Sequence, residues 1–175
     1  PEHAYITTTN GFFATPDACK FDLNKTYHVA MVYDGSSLKF YRNGFLLSQV
    51  AASGNLFQNN LVTRIGRYTG VTTENFLGYI NEVRIWNVAR TQTQLRTFMN
   101  SSLPTPASQL GLQAYYTFDN LINKQGNTAW NGVLSGAAVI NATNPDCNTV
   151  SDSCKLNAVI GNIINDYTPV TGFAP

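Results

Sequence analysis

The stretch from Phe76 to Met99, FLGYINEVRIWNVARTQTQLRTFM, constrains this chain more than any other, because it couples a strand to a short capped helix. In its strand half the apolar positions are Ile80, Val83 and Ile85, so the period-2 alternation slips by one residue at Asn81–Glu82, as it does at a β-bulge. The spacing predicts a bulged strand. Thr91 and Gln94 then stand at capping-box spacing, and Leu95, Phe98 and Met99 form one apolar face of a helix near 91–100. Such a helix docks by that face.

The segments around this stretch read as hairpins. His3–Thr9 is rich in β-branched residues, and Asn10-Gly11 turns it into Phe12–Ala14. Tyr27–Tyr33 carries no formal charge on either face, which predicts a covered strand. Asp34-Gly35 and Asn43-Gly44 are tight-turn signals that join it to Leu38–Arg42 and Phe45–Val50 in a meander. Leu61–Gly66, Leu112–Phe118 and Val133–Ile140 are further short strands. Many short strands with a single small helix predict an all-β, antiparallel sandwich. The expected division is a sandwich over 1–120 and a β/loop extension over 121–175 that holds a cysteine loop.

Charge excludes two partner classes. Lys+Arg number 11 against Asp+Glu 10, so there is no basic field for nucleic acid, and no run approaches the roughly 20 apolar residues of a membrane span. Neither nucleic-acid binding nor membrane insertion is expected. Of three cysteines, Cys147 and Cys154 flank a polar loop in which a small disulfide ring closes easily, leaving Cys19 over; the alternative is three reduced thiols. A C-x6-C spacing with no neighbouring His is poor zinc ligation. Asn24-Lys-Thr, Asn100-Ser-Ser and Asn141-Ala-Thr are acceptor triplets for glycosylation, a short pattern that also arises by chance and counts only in a secreted eukaryotic chain.

The succession YHVAMVYDGSSLKFYRNG, LVTRIGR and GYINEVRIWNVART resembles the laminin-G-like jelly roll, the concanavalin A-like sandwich shared with pentraxins and legume lectins. Gly78, Ile80, Glu82, Val83, Arg84, Ile85, Trp86 and Asn87 match the family strand, and Asn81 replaces its usual Asp. That resemblance implies several strands ahead of Tyr27–Tyr33 where only the His3–Ala14 hairpin stands, so the domain is expected to be N-terminally incomplete. It also bears on calcium, because the pentraxin loop is acidic whereas GRYTGVTTEN has Glu74 alone. Calcium takes six to eight oxygens, several of them carboxylates. A double calcium site is not expected, which leaves no cofactor or at most a single structural calcium.

Catalysis finds little support in the residues. Retaining glycoside hydrolysis takes two carboxylates about 5 Å apart, and Glu82 has no acidic companion two or four residues away. Glu82 and Arg84 are two apart on one face of the strand, and a cross-strand ion pair is the plainer reading. His28 has no Cys, Asp or Glu at ligand spacing and reads as a packed histidine. Aromatics beside amides give the better lead, since sugar faces stack on Tyr and Trp while amides bond hydroxyls. Arg67, Tyr68 and Asn75 form one such set, and Trp130 with Asn127 and Asn131 a second. Aromatics also fill sandwich cores, so each set has a packing alternative. The sequence therefore predicts a non-catalytic, extracellular recognition or adhesion module for a glycan or cell-surface protein, acting with other domains or subunits. The alternatives are a structural spacer or assembly domain and, third, a glucanase-type glycosidase.

Overall fold

A computed structural model describes residues 3–17, 20–58, 62–67 and 75–140. Cys19, Tyr68, Asn141, Cys147 and Cys154 lie outside the described residues. The chain divides into two compact units, the first including Pro1–Phe57 and Ala89–Ser101, the second Gln58–Val88 and Ser102–Asn144. The boundary between Val88 and Ala89 separates the strand of the Phe76–Met99 stretch from its helix. Among the described residues no helix is long and apolar enough to cross a membrane.

The first unit starts with the expected hairpin, β1 (Tyr5–Thr8) against β2 (Gly11–Ala14), with Thr8 opposite Gly11. Its two turn residues are Thr9 and Asn10, one position earlier than the Asn10-Gly11 dipeptide implied. Alternation then decides the faces: Ala4, Ile6 and Thr8 point inward and Tyr5 and Thr7 outward. A meander follows, β3 (Val29–Tyr33), β4 (Ser37–Arg42) and β5 (Phe45–Ala51), in antiparallel order β3-β4-β5. Ala4 and Ile6 pack with Leu38, Phe40 and Ala52, and Phe13, Tyr33, Leu47 and Val50 surround them. Leu38 is fully buried, and burial of one such side chain stabilises by about 1.5–3 kcal/mol.

Turn chemistry fixes the register of the meander. Asn43 and Gly44 have φ of 50° and 75°, the two left-handed residues of a two-residue hairpin turn whose twist matches the flanking strands. At the other turn the Asp34 carboxylate accepts from the Ser36 and Ser37 amides at 3.0 and 2.8 Å and from the Lys39 ammonium at 2.7 Å. The Lys39 hydrogen bond first, then those from Ser36, hold the Asp34 carboxyl well below the usual carboxylate range.

The helix α1 (Gln92–Phe98) begins on the predicted capping box: Thr91 Oγ1 accepts from Gln94 N at 3.2 Å, and Thr91 N donates to Gln94 Oε1 at 2.9 Å. Two turns of helix are marginal by themselves. It is held on the β4–β5 turn, where Gln92 Nε2 donates to Gly44 O at 2.8 Å and the Arg96 guanidinium lies 4.3 Å from the Phe45 ring centre. Leu95, Phe98 and Met99, the predicted docking face, are half-buried.

The second unit pairs β6 (Val83–Trp86) with β7 (Leu112–Tyr116), antiparallel, with a register shift between Ile85 and Trp86. The strand expected from about Gly78 is thus four residues long, and its irregularity is divided in two. Glu82 takes a left-handed φ of 57° where the alternation slips, and the bulge sits at the strand's far end. Leu112, Ala114, Tyr115 and Tyr116 are buried, whereas Leu77 and Tyr79 are exposed. Residues 62–66 and 133–140, expected as strands, form none: a strand needs a neighbour to complete its hydrogen bonds, and neither segment has a ladder.

Two changes test this account. Gly44→Ala would force a Cβ to within 2.5 Å of Arg96 Cγ at a φ that L-residues rarely adopt. It is expected to cost about 1–2 kcal/mol in urea unfolding. Because the folded-state pKa of Asp34 is depressed, its contribution is present above the unfolded value near pH 4 and is lost as pH falls through the folded value. Asp34→Asn is therefore expected to lower the thermal midpoint at pH 7 and to narrow its gap from the parent protein below pH 3.

Candidate functional site

Glu82 is the centre of a polar cluster in the second unit. Its left-handed backbone just ahead of β6 is uncommon for a residue with a Cβ, and the side chain is held from three directions. Arg84 Nη2 and Tyr115 Oη both donate to Glu82 Oε2 at 2.6 Å, and Ser102 Oγ donates to Oε1 at 3.2 Å. The Arg84 guanidinium also lies 5.3 Å from the Tyr115 ring centre, and Leu103 N donates to Tyr115 Oη at 3.3 Å. Burial first, then the hydrogen bond to Glu82, raises the Tyr115 pKa above that of a free phenol. The ion pair forms between Glu82 and Arg84 themselves, within one segment rather than across strands as expected, and a β7 tyrosine completes it.

This arrangement does structural chemistry. The carboxylate takes one charge-assisted hydrogen bond from a guanidinium and two from hydroxyls. Glycoside hydrolysis takes a pair of carboxylates, and the groups bonded to the Glu82 side chain are a guanidinium and two hydroxyls. Among the described residues there is no group of three or more His, Cys, Asp and Glu side chains able to hold a metal ion. The candidate histidine, His28, lies just ahead of β3, with its backbone N and O clasped by Asn43 Oδ1 and Asn43 N at 2.9 and 2.7 Å.

The predicted ligand residues occupy two places in the second unit. Arg67 and Asn75 form an antiparallel bridge, Phe76 N donates to Gly66 O at 2.8 Å, and both Arg67 and Asn75 are exposed. Arg67 and Asn75, eight apart in sequence and expected together in one ligand set, are neighbours in space, whereas Tyr68 lies outside the described residues. Trp130 ends a short 3-10 turn, Thr128–Trp130, with its side chain 44% exposed. Its carbonyl accepts from Tyr116 Oη, which anchors the turn to β7.

Sequence reasoning missed the residue that holds the Trp130 loop. Asn123 is buried, and its Oδ1 accepts from Tyr115 N at 3.0 Å and Gln125 N at 3.1 Å. Its Nδ2 donates to Asn127 O at 3.2 Å and its backbone N to Asn131 Oδ1 at 2.9 Å. Asn127 Oδ1 caps the 3-10 turn at Ala129 N, 3.1 Å away. The oxygens of the two amides expected beside a sugar, Asn127 and Asn131, thus shape the loop. Only the density of Asn and Gly in NLINKQGNTAWNG could have signalled this, because the pairing partners lie on a strand several residues back.

Comparison with known proteins extends the picture. A family model described as "Concanavalin A-like lectin/glucanases superfamily" matches residues 3–96. Pappalysin-1 of Mus musculus is 38% identical over 95 residues, 49% of this chain and 6% of that protein. Pappalysin-1 of Homo sapiens is 32% identical over 120 residues, 63% of this chain and 7% of that protein. The chain thus spans less than a tenth of the length of these relatives. A crystal structure of a candidate carbohydrate-binding protein from Bacteroides ovatus superposes with a TM-score of 0.52 at 32% identity, over 62% of this chain and 31% of that one.

Glu82→Gln removes the charge that Arg84 faces while keeping the side chain's shape. Because Arg84 and Glu82 side chains are only 12% and 19% exposed, the loss is expected to reach about 1–3 kcal/mol in urea unfolding. A change below about 0.5 kcal/mol would show the pair to be no more than a surface contact.

Proposed function

The chain belongs to the concanavalin A-like lectin/glucanase superfamily, and from that membership we propose that it is a non-catalytic recognition module acting outside the cell, with a glycan, free or carried on a surface protein, as its ligand. The observation that carries this reading is the state of Glu82. The one carboxylate of the Phe76–Asn87 stretch, Glu82, is bound by Arg84, Tyr115 and Ser102, and so serves the fold. The half-exposed indole of Trp130 and the exposed Arg67 and Asn75 at the loop neck offer what sugar recognition takes: an apolar face and hydroxyl-bonding groups. Support also comes from the Bacteroides ovatus structure, itself a candidate carbohydrate-binding protein. The module works within a larger secreted or surface protein, and its binding requires no cofactor.

A glycan array followed by titration calorimetry on the hits tests the reading, with and without a calcium chelator. The intact chain is expected to bind at least one glycan in both conditions, and Trp130→Ala and Arg67→Ala are each expected to weaken the interaction by about tenfold, near 1.4 kcal/mol. Binding unaffected by either change would remove the two loops as the site. No binding to any glycan would overturn the reading in favour of a structural spacer, and hydrolysis of a bound glycan would overturn its non-catalytic part.

A further inference from the structure

The three glycosylation triplets are unequal once folded, and the structure bears on two of them. Asn24 lies at the tip of the loop between β2 and β3, with residues 20–26 all exposed. Its backbone is left-handed at φ 60°, a conformation that Asn tolerates better than most residues. The base of the loop is held: Tyr27 Oη donates to Asp22 Oδ2 at 2.9 Å, the Phe21 and Tyr27 rings are 5.0 Å apart, and the Arg42 guanidinium lies 5.3 Å from the Tyr27 ring centre. Asn100, in contrast, is half-buried directly after α1, and the hydroxyl of its triplet, Ser102 Oγ, is donated to Glu82.

Two neighbours make Asn24 more than an exposed acceptor. Phe21, three residues before it, is 43% exposed and anchored on Tyr27, and Leu23, the residue before it, is 89% exposed. Both are apolar side chains turned to water on a charged, polar loop. A sugar attached at Asn24 would bring its apolar face over this surface, and aromatic rings stack on such faces.

We infer that Asn24 is an N-glycan acceptor, and that Phe21 and Leu23 form the surface on which the first sugar of that glycan rests. The site rests on the extracellular reading above, since the chemistry belongs to the secretory route. The donor is an oligosaccharide carried on a polyprenyl diphosphate. The Asn24 carboxamide nitrogen bonds to C1 of the sugar, the bond from C1 to the diphosphate oxygen breaks, the diphosphate leaves with the electron pair, and the amide proton passes to a base. The Thr26 hydroxyl completes the triplet that the transferase reads.

Secretion of the intact chain by a eukaryotic cell line supplies the compartment directly, so its result bears on the site and leaves the extracellular reading untouched. Site-resolved peptide mass spectrometry after peptide N-glycosidase treatment is expected to show aspartate at position 24 and unmodified asparagine at position 100. Removing the glycan is expected to lower the thermal midpoint, and Phe21→Ala to abolish that difference while the chain still folds by circular dichroism. An unmodified Asn24, or a glycan at Asn100 in preference to it, would overturn the assignment. A midpoint indifferent to deglycosylation in the parent chain would overturn the role of Phe21 and Leu23.

Discussion

The first unit depends on the turn at Asn43–Gly44 more than on any other few atoms. Two consecutive left-handed residues set the β4–β5 register, and the Asn43 side chain and amide clasp the backbone of His28 where β3 begins. The Gly44 carbonyl then receives Gln92 from α1. One turn therefore reaches three strands and the helix. The reason is steric: only a residue without Cβ lets the chain turn there while Arg96 and Met99 pack against it. The hydrophobic core around Leu38, Phe40 and Ile6 supplies most of the burial, but this turn decides which residues face it.

The second unit uses polar chemistry to the same end. Glu82, Arg84, Tyr115 and Ser102 join the start of β6 to β7 and to the chain after α1, and Asn123 joins β7 to the loop that carries Trp130. Nearly all of the acceptor capacity of these groups is taken up internally, as expected where polar atoms leave water. Charge is sparse in this chain, and among the described residues Asp34 is held by Lys39, Asp119 by Lys124 and Glu82 by Arg84, with backbone amides adding to the first two.

Local chemistry was legible to the degree that it is local. The capping box at Thr91 and Gln94, the hairpin turn at Asn43-Gly44 and the alternation of β1 involve residues a few positions apart, whose geometry follows from their own side chains and φ preferences. The slip at Asn81–Glu82 was also legible as an irregularity, although its form was not. The alternation cannot distinguish a bulge inside a paired strand from a left-handed residue ahead of a shorter one, because the difference lies in where β7 ends. The strands expected at 62–66 and 133–140 fail for a related reason: β-branched composition describes a surface that fits a sheet, and only a neighbouring strand makes it one.

The sequence by itself determined the class of fold, the position of the helix, and the meander and its turns, since each follows from periodicity, capping or turn chemistry. Tertiary structure alone decided that Tyr115 and Ser102 complete the hold on Glu82, that Asn123 shapes the Trp130 loop, that Arg67 and Asn75 stand side by side, and that Asn24 is open where Asn100 is not. Each of these joins residues far apart along the chain or depends on exposure. Contact between distant residues is fixed by how strands register and pack, a property of the whole ladder that no single stretch of residues contains.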